Sequence, residues 1–330
     1  YITTKRGFTE QTVAAFGVGY SDGKIFDYLK TQGFSIQQMY DACFINEESK
    51  NSEYFGNRLT FPQYDRNGKI AYFHKRTLTK NKTQKYVKAR SSIATWQRGG
   101  QLYGLYLAAN EIRKKDECFL VEGYTDAMAH HQSGLKNTVA TAGTAFGTKK
   151  AQEIKSYCDT IIVAFDGHQN QIIGAKNKTA IYRAALTALE CDLNVRILTL
   201  PNKEDGSEHD PDSYRLAIGD SAYNEYVNAK NENGTYINQR DFFDWLCNGL
   251  LKFVNHSPAQ AFRAAKVIID ALEKVKDPFK QSVCINYVCV QESYAFLSNA
   301  IKTHFEEKQA HKNTQAKAPK TQPTTSLWLF

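Results

Sequence analysis

Between Glu117 and Leu200 the chain alternates strand and helix, with strands expected over 117–122, 137–141, 160–165 and 194–200 and helices near 124–133, 147–157 and 176–190. That alternation admits little besides a parallel sheet with crossover helices. The first and third strands end in acids: Glu122-Gly123-Tyr124-Thr125-Asp126 follows Cys118-Phe119-Leu120-Val121, and Asp166-Gly167 follows Ile161-Ile162-Val163-Ala164-Phe165. Gly lets the chain turn sharply and leaves each acid at the carboxyl edge of its strand, where open α/β sheets bind ligands. After the fourth strand comes Glu204 to Asp212, nine residues of which five are acidic. Oxygen donors without His or Cys spacing suit a hard cation such as Mg²⁺, and phosphoryl or nucleotidyl transfer is the first chemistry to expect.

Residues 1–115 read as a mixed α/β region with short helices at Thr9–Phe16 and Ile25–Gln32, a hairpin about Asn67-Gly68, and a helix over 102–113. Between Arg58 and Arg98 there are eleven Lys and Arg against one acid, a charge of +10 in a chain whose net charge is +8. Interleaved Phe61, Tyr64, Tyr72, Phe73, Tyr86 and Trp96 offer stacking surfaces, so this segment reads as a groove for single-stranded nucleic acid in preference to a solvated charged face. Beyond residue 236 the pattern is helical: Asp241 to Val254, a helix opened by Ser257-Pro258, and a third running from Asp277-Pro278 towards Phe305. The division expected is therefore 1–115, 116–235, 236–310 and a flexible tail over 311–330.

The seven cysteines are scattered, with no CxxC pair, and read as reduced core residues without a zinc site. No apolar run reaches membrane-span length and no signal peptide is evident, which makes the cytoplasm the expected compartment. A start at Tyr1 suggests a fragment of a longer protein.

An ordered set of short motifs resembles the bacterial DnaG-type replicative primases with their Toprim catalytic domain. The set comprises Lys5-Arg6-Gly7-Phe8, Arg58-Leu59-Thr60-Phe61-Pro62, Gln84-Lys85-Tyr86, Gln101 to Tyr106, Val121 to Asp126, Ala142-Gly143-Thr144, Phe165-Asp166-Gly167 and Asp210-Pro211-Asp212. The resemblance implies an amino-terminal α/β subdomain, a Rossmann-like Toprim sheet and a helical carboxyl-terminal subdomain. It further implies synthesis of short RNA primers from ribonucleoside triphosphates on a single-stranded DNA template, with two or more Mg²⁺ or Mn²⁺ ions. A replicative helicase would be engaged through regions outside this chain, in a bacterial or phage-infected cell. Carried over residue by residue, Glu122 would act in proton transfer or metal organisation, and Glu122, Asp126, Asp166, Asp210 and Asp212 would hold the metals. Arg6, Arg58, Arg76, Lys85 and Arg98 would contact nucleotide or nucleic acid, Arg98 standing where the family usually has Lys.

The third motif departs from the family's Asp-x-Asp, because His168 replaces the second acid and the loop is longer. His168 reads either as an imidazole ligand favouring Mn²⁺ or as a bystander, and the bystander reading is preferred. Rival readings are a Toprim nuclease or topoisomerase-like enzyme, and a DNA-binding replication accessory with a weakened site. Glu122 and Asp126 could simply cap a helix. His130 and His131 are expected to be surface polar residues. Ala142 to Thr148 turns the chain into a helix and could cradle a phosphate.

Overall fold

The computed structural model describes residues 1–42, 44–45, 56–78, 86–87, 101–143, 145–166, 179–252, 254, 257–291 and 295–317. They fall into two compact units, Tyr1–Trp245 and Leu246–Phe330. His168, Lys85 and Arg98 lie outside the described residues.

The first unit opens with α1 (Glu10–Ala15), whose amino terminus is capped by the Thr9 hydroxyl accepting from the Thr12 amide at 3.2 Å. β1 (Gly19–Ser21), α2 (Ile25–Thr31) and α3 (Ile36–Asp41) follow. Ser35 and Gln38 form a capping box at α3, a helix not anticipated from its short polar sequence. β2 (Arg58–Tyr64) and β3 (Ile70–Thr77) make the expected hairpin. Its turn is wider than a two-residue Asn-Gly loop, because the Asp65 carboxylate accepts from the amides of Asn67 and Lys69, both at 2.9 Å, and Gly68 takes φ +78°. With β4 (Tyr86–Val87) these strands form an antiparallel sheet in the order β1-β2-β3-β4.

The expected helix over 102–113 begins three residues late, as α4 (Leu105–Lys115). Tyr103 instead pairs its backbone with Ala140 in both directions at 2.9 Å, and Gly104 turns the chain at φ +81°. Then come β5 (Glu117–Val121), α5 (Tyr124–Gln132), β6 (Thr138–Ala140), α6 (Thr148–Lys155), β7 (Thr160–Val163), α7 (Ala180–Glu190), β8 (Asn194–Leu198), α8 (Pro211–Ile218), α9 (Asp220–Asn228) and β9 (Gln239–Asp241). The second sheet runs β6-β5-β7-β8-β9; β5 through β8 are parallel and β9 is antiparallel to β8. Strands buried on both faces explain the unbroken apolar runs of β5 and β7, whose Cys118–Val121 and Ile161–Val163 are all buried.

An aromatic seam joins the two sheets. The Phe61 ring of β2 stacks on Tyr124 of α5 at 5.1 Å, Tyr124 meets Tyr103 edge-on at 4.9 Å, and Phe16 stacks on Tyr103 at 5.7 Å. These rings belong to one apolar core shared by the amino-terminal region and the parallel sheet. His130 and His131 belong to this interior, contrary to the surface position expected of them. His130 is fully buried, with Nδ1 3.0 Å from Thr138 Oγ1 and Nε2 2.8 Å from the Tyr223 hydroxyl. His131 Nε2 lies 2.9 Å from the Thr138 carbonyl, its ring against Phe16. Two side-chain partners for His130 and the Thr138 carbonyl for His131 satisfy polar groups that would otherwise need water.

α10 (Phe242–Leu251) straddles the boundary between the units. The second unit holds α11 (Pro258–Leu272), α12 (Pro278–Val290) and α13 (Ala295–Lys317). The single helix expected from 278 to 305 is two, since Gln291 leaves α12 in an extended conformation. α13 also runs through 311–317, where the flexible tail was expected to begin: Glu, Gln, Lys and Ala are good helix formers, and Glu273 anchors the helix with contacts to His304 at 3.0 Å and Lys308 at 2.5 Å. Among the described residues no helix is long and apolar enough to cross a membrane.

Candidate active site

Glu122 is the first residue beyond β5 and is half-buried; its carbonyl accepts from the Ala142 amide at 3.0 Å and from Thr141 Oγ1 at 3.3 Å, tying the β5 and β6 ends together. Asp126 sits one turn into α5 and is buried. Its Oδ2 accepts from the Gly123 amide at 2.9 Å and its Oδ1 from the Asp212 amide at 3.4 Å. Asp166, half-buried, stands three residues past β7, where Ala164 still donates to the Leu120 carbonyl at 2.9 Å. Asp210 is the amino-terminal cap of α8 and accepts from the Ser213 amide at 2.6 Å. Acids from three segments thus come together at the carboxyl edge of the parallel sheet, two after strands that stop at Gly and the third at the start of α8.

The electrostatics record their proximity. Burial pushes the Asp126 carboxyl well above the usual carboxylate range, and the charges of Asp210, Asp166 and Asp212 push it further, against the Gly123 amide, which lowers it. Each carboxylate makes its neighbours harder to ionise, so a cation at this edge would relieve all of them together. Among the described residues, however, no group of three His, Cys, Asp or Glu side chains would hold a metal ion as it stands. The capping bonds of Asp126 and Asp210 account for part of this, since both carboxylates are turned to backbone amides.

Asp212 has another engagement. Its carboxylate has no solvent exposure, accepts from Arg215 Nη2 at 3.1 Å and is in contact with Arg6 Nη1. Arg215 also reaches the carbonyls of Arg6 and Gly7 and Asp220 Oδ1, the last two at 3.3 Å, and lies 4.7 Å over the Phe8 ring. Burial leaves Asp212 above its ordinary value even though Arg6 and Arg215 pull it down. The two guanidiniums favour the ionised form, because a neutral Asp212 would take from Arg6 its carboxylate partner, while Arg215 keeps Asp220.

Of the basic residues singled out in the sequence, Arg6 faces Asp212. Arg76 is buried in β3, with its Nη2 donating to the Tyr1 hydroxyl at 2.8 Å and its guanidinium 5.2 Å over that ring. Arg58 is half-buried at the start of β2. Lys75, beside Arg76, has no exposed surface, so part of the basic run is interior. Sequence reasoning missed Arg215, although its place three residues after Asp212 on a Pro-started helix puts both on one face. It also missed Lys150, fully buried in the first turn of α6, whose Nζ donates to the Thr141 carbonyl at 3.1 Å beneath the loop at Ala142 and Gly143. One Lys among several in that helix carries no distinguishing signal. Ala142 and Gly143 both take positive φ, +56° and +70°.

The chain is similar to known primases along most of its length. Residues 1–109 match the family described as DNA primase catalytic core, N-terminal domain, and residues 119–214 match the Toprim-like family. A DNA primase of Staphylococcus aureus (strain COL) is 31% identical over 290 residues, which cover 86% of this chain and 45% of that relative. This chain thus spans less than half of that relative's length. The crystal structure of a DNA primase domain from Pseudomonas aeruginosa superposes with TM-score 0.68 at 26% identity, covering 89% of this chain and 90% of that one. A DnaG primase catalytic domain bound to single-stranded DNA has the same fold, with TM-score 0.67 at 24% identity, covering 86% of this chain and 88% of that one.

Proposed function

Because this chain belongs to the DnaG-type primase family, with its amino-terminal core domain followed by a Toprim domain, we propose that it is a DNA-dependent RNA polymerase that makes short RNA primers on single-stranded DNA. The observation that carries the reading is the set of acids around Asp126, whose charges act on one another at the carboxyl edge of β5 and β7. Template binding is supported by a related catalytic domain solved with single-stranded DNA. Ribonucleoside triphosphates are the substrates we propose, and a replicative helicase is the further partner.

Use of divalent metal is general to Toprim primases, and the all-oxygen donor set fits a hard cation. We assign Glu122, Asp126, Asp166 and Asp210 as its ligands, with Mg²⁺ or Mn²⁺ as the ion. Asp212 joins them only by releasing Arg6 or Arg215. When bound, such ions lower the pKa of an attacking 3′-hydroxyl and offset charge on departing pyrophosphate. The chain's own residues prepare the ground. The Gly123 amide orients Asp126, α8 holds Asp210 at its cap, and Glu122 would act in proton transfer or metal organisation. Arg58 would offset phosphate charge, as would Lys85 and Arg98 by their place in the sequence, and Arg6 and Arg76 would do so only on leaving Asp212 and Tyr1. Neutralising the acids costs the fold little, since capping bonds are worth about 1 kcal/mol each.

The test is primer synthesis on single-stranded DNA with Mg²⁺ or Mn²⁺. Glu122→Gln and Asp166→Asn are each expected to lose about a hundredfold or more, the range for removal of a proton-transfer group, while binding of single-stranded DNA stays within about twofold. Near-normal synthesis by both variants would sink the assignment.

A further inference from the structure

Ala142 is strained where the chain leaves the carboxyl end of β6. Among the described residues other than glycine that take positive φ, Asn57, Asp116 and Asp192 are of the types that tolerate the left-handed region, and Ala142, at +56°, is not. Strain of this kind persists only where the surroundings fix it, and it gathers at sites of function. Three contacts fix Ala142. Its amide donates to the Glu122 carbonyl at 3.0 Å, the hydroxyl of buried Tyr124 donates to its own carbonyl at 3.3 Å, and the carbonyl of Thr141 just before it accepts from Lys150 Nζ at 3.1 Å.

Lys150 has no exposed surface. Taking an ammonium out of water is costly, and this one grips the peptide unit between Thr141 and Ala142. That unit is planar, with its carbonyl on Lys150 and its N–H on Glu122, so the pull at one end sets the direction of the other. The Thr141 hydroxyl donates to the same Glu122 carbonyl at 3.3 Å, and the Thr141 amide donates to the Val121 carbonyl at 3.0 Å. Lys150 is itself anchored at the start of α6, its amide donating to the Gly147 carbonyl at 3.0 Å. Given the role assigned to Glu122 in primer synthesis, on which this rests, we propose that Lys150 and Thr141 are positioning residues. They lock the Thr141–Ala142 peptide onto Glu122 and so hold its carboxylate where the reaction needs it. Enclosed as it is, Lys150 does not meet substrate and acts only through the Glu122 backbone.

Steady-state primer synthesis by the full chain on single-stranded DNA separates positioning from mere support of the fold. Lys150→Met keeps the apolar stem and removes the ammonium, and Thr141→Val keeps the shape and removes the hydroxyl. Each should lower kcat about tenfold or more while KM for ribonucleoside triphosphates stays within about twofold, because misplacing a reacting group by about 1 Å can cost a hundredfold. Thr141→Ser, which restores the hydroxyl, should recover most of the kcat lost in Thr141→Val. Added to Glu122→Gln, Lys150→Met should cost less than about twofold further, since residues that act as one unit are not additive. The same loss in both backgrounds would make Lys150 a support of the fold and overturn the proposal. So would wild-type kcat in Lys150→Met, or equal kcat in Thr141→Val and Thr141→Ser; the Thr141 pair decides alone should Lys150→Met fail to fold. Near-normal synthesis by Glu122→Gln would overturn the role of Glu122 first, and with it this one.

Discussion

Asp212 and Asp126 stand at one edge of the sheet and have opposite fates. Asp212 ties Arg6 to Arg215, whose guanidinium donates to the carbonyls of Arg6 and Gly7 and so holds the chain's first turn against α8. Removing one member of a buried ion cluster strands the others, so Asp212→Asn is expected to destabilise the fold by about 3–5 kcal/mol, read by urea denaturation. Asp126 has neighbours of its own sign and gains from a cation. Saturating Mg²⁺ or Mn²⁺ should therefore raise the melting temperature, a hundredfold excess over Kd being worth about 2.7 kcal/mol, and the rise should shrink in Asp126→Asn. No rise in wild type would count against a metal at this edge. The strand-end acids were legible in the sequence because Gly marks where each strand stops. The Arg6–Asp212 contact was not, since 206 residues separate its partners and only the folded chain brings them together.

At the scale of elements, β5 and β7 were legible because burial on both faces demands unbroken apolar runs, and α1 and α11 because Thr9 and Ser257-Pro258 mark their starts. β9 escaped notice, being three residues with two of them exposed, and so did the break between α12 and α13, where the apolar pattern runs on through the interruption. The late start of α4 is decided by tertiary pairing. Leu102 to Tyr106 has helical spacing, yet Tyr103 spends its backbone on Ala140 and Gly104 adopts a left-handed turn. A methyl group at Gly104 would meet nothing closer than the Thr138 carbonyl at 3.6 Å, so the cost of Gly104→Ala is conformational, about 1–2 kcal/mol. Thermal denaturation measures it. A change near zero would mean that the turn relaxes freely.

For the molecule as a whole, His130 makes stability depend on pH. Burial lowers its pKa to about 3, with His131 adding to the shift, so the folded protein keeps the ring neutral where the unfolded chain takes up a proton. The unfolded state then binds more protons below about pH 6.5, and stability falls as pH drops from there towards 3. At pH 5 this ring alone should cost about 2 kcal/mol relative to pH 8, a gradient that His130→Gln should remove while lowering stability at pH 8 through the lost Tyr223 contact. Denaturant midpoints at pH 5, 6 and 8 for both proteins check it.

The sheet's outer strands lead to a different property. A parallel sheet cut off at β6 and β8 would offer two rows of unpaired amides and carbonyls to any passing strand. Here Tyr103 closes the β6 side from before the sheet begins, and β9 closes the β8 side from some forty residues after it, so each margin is sealed by a part of the chain made at another time. During synthesis β8 must wait for Gln239–Asp241 to emerge before its margin is covered. In that interval the β8 margin stays open to pairing with another strand, and covering it is what this short polar strand does for the sheet.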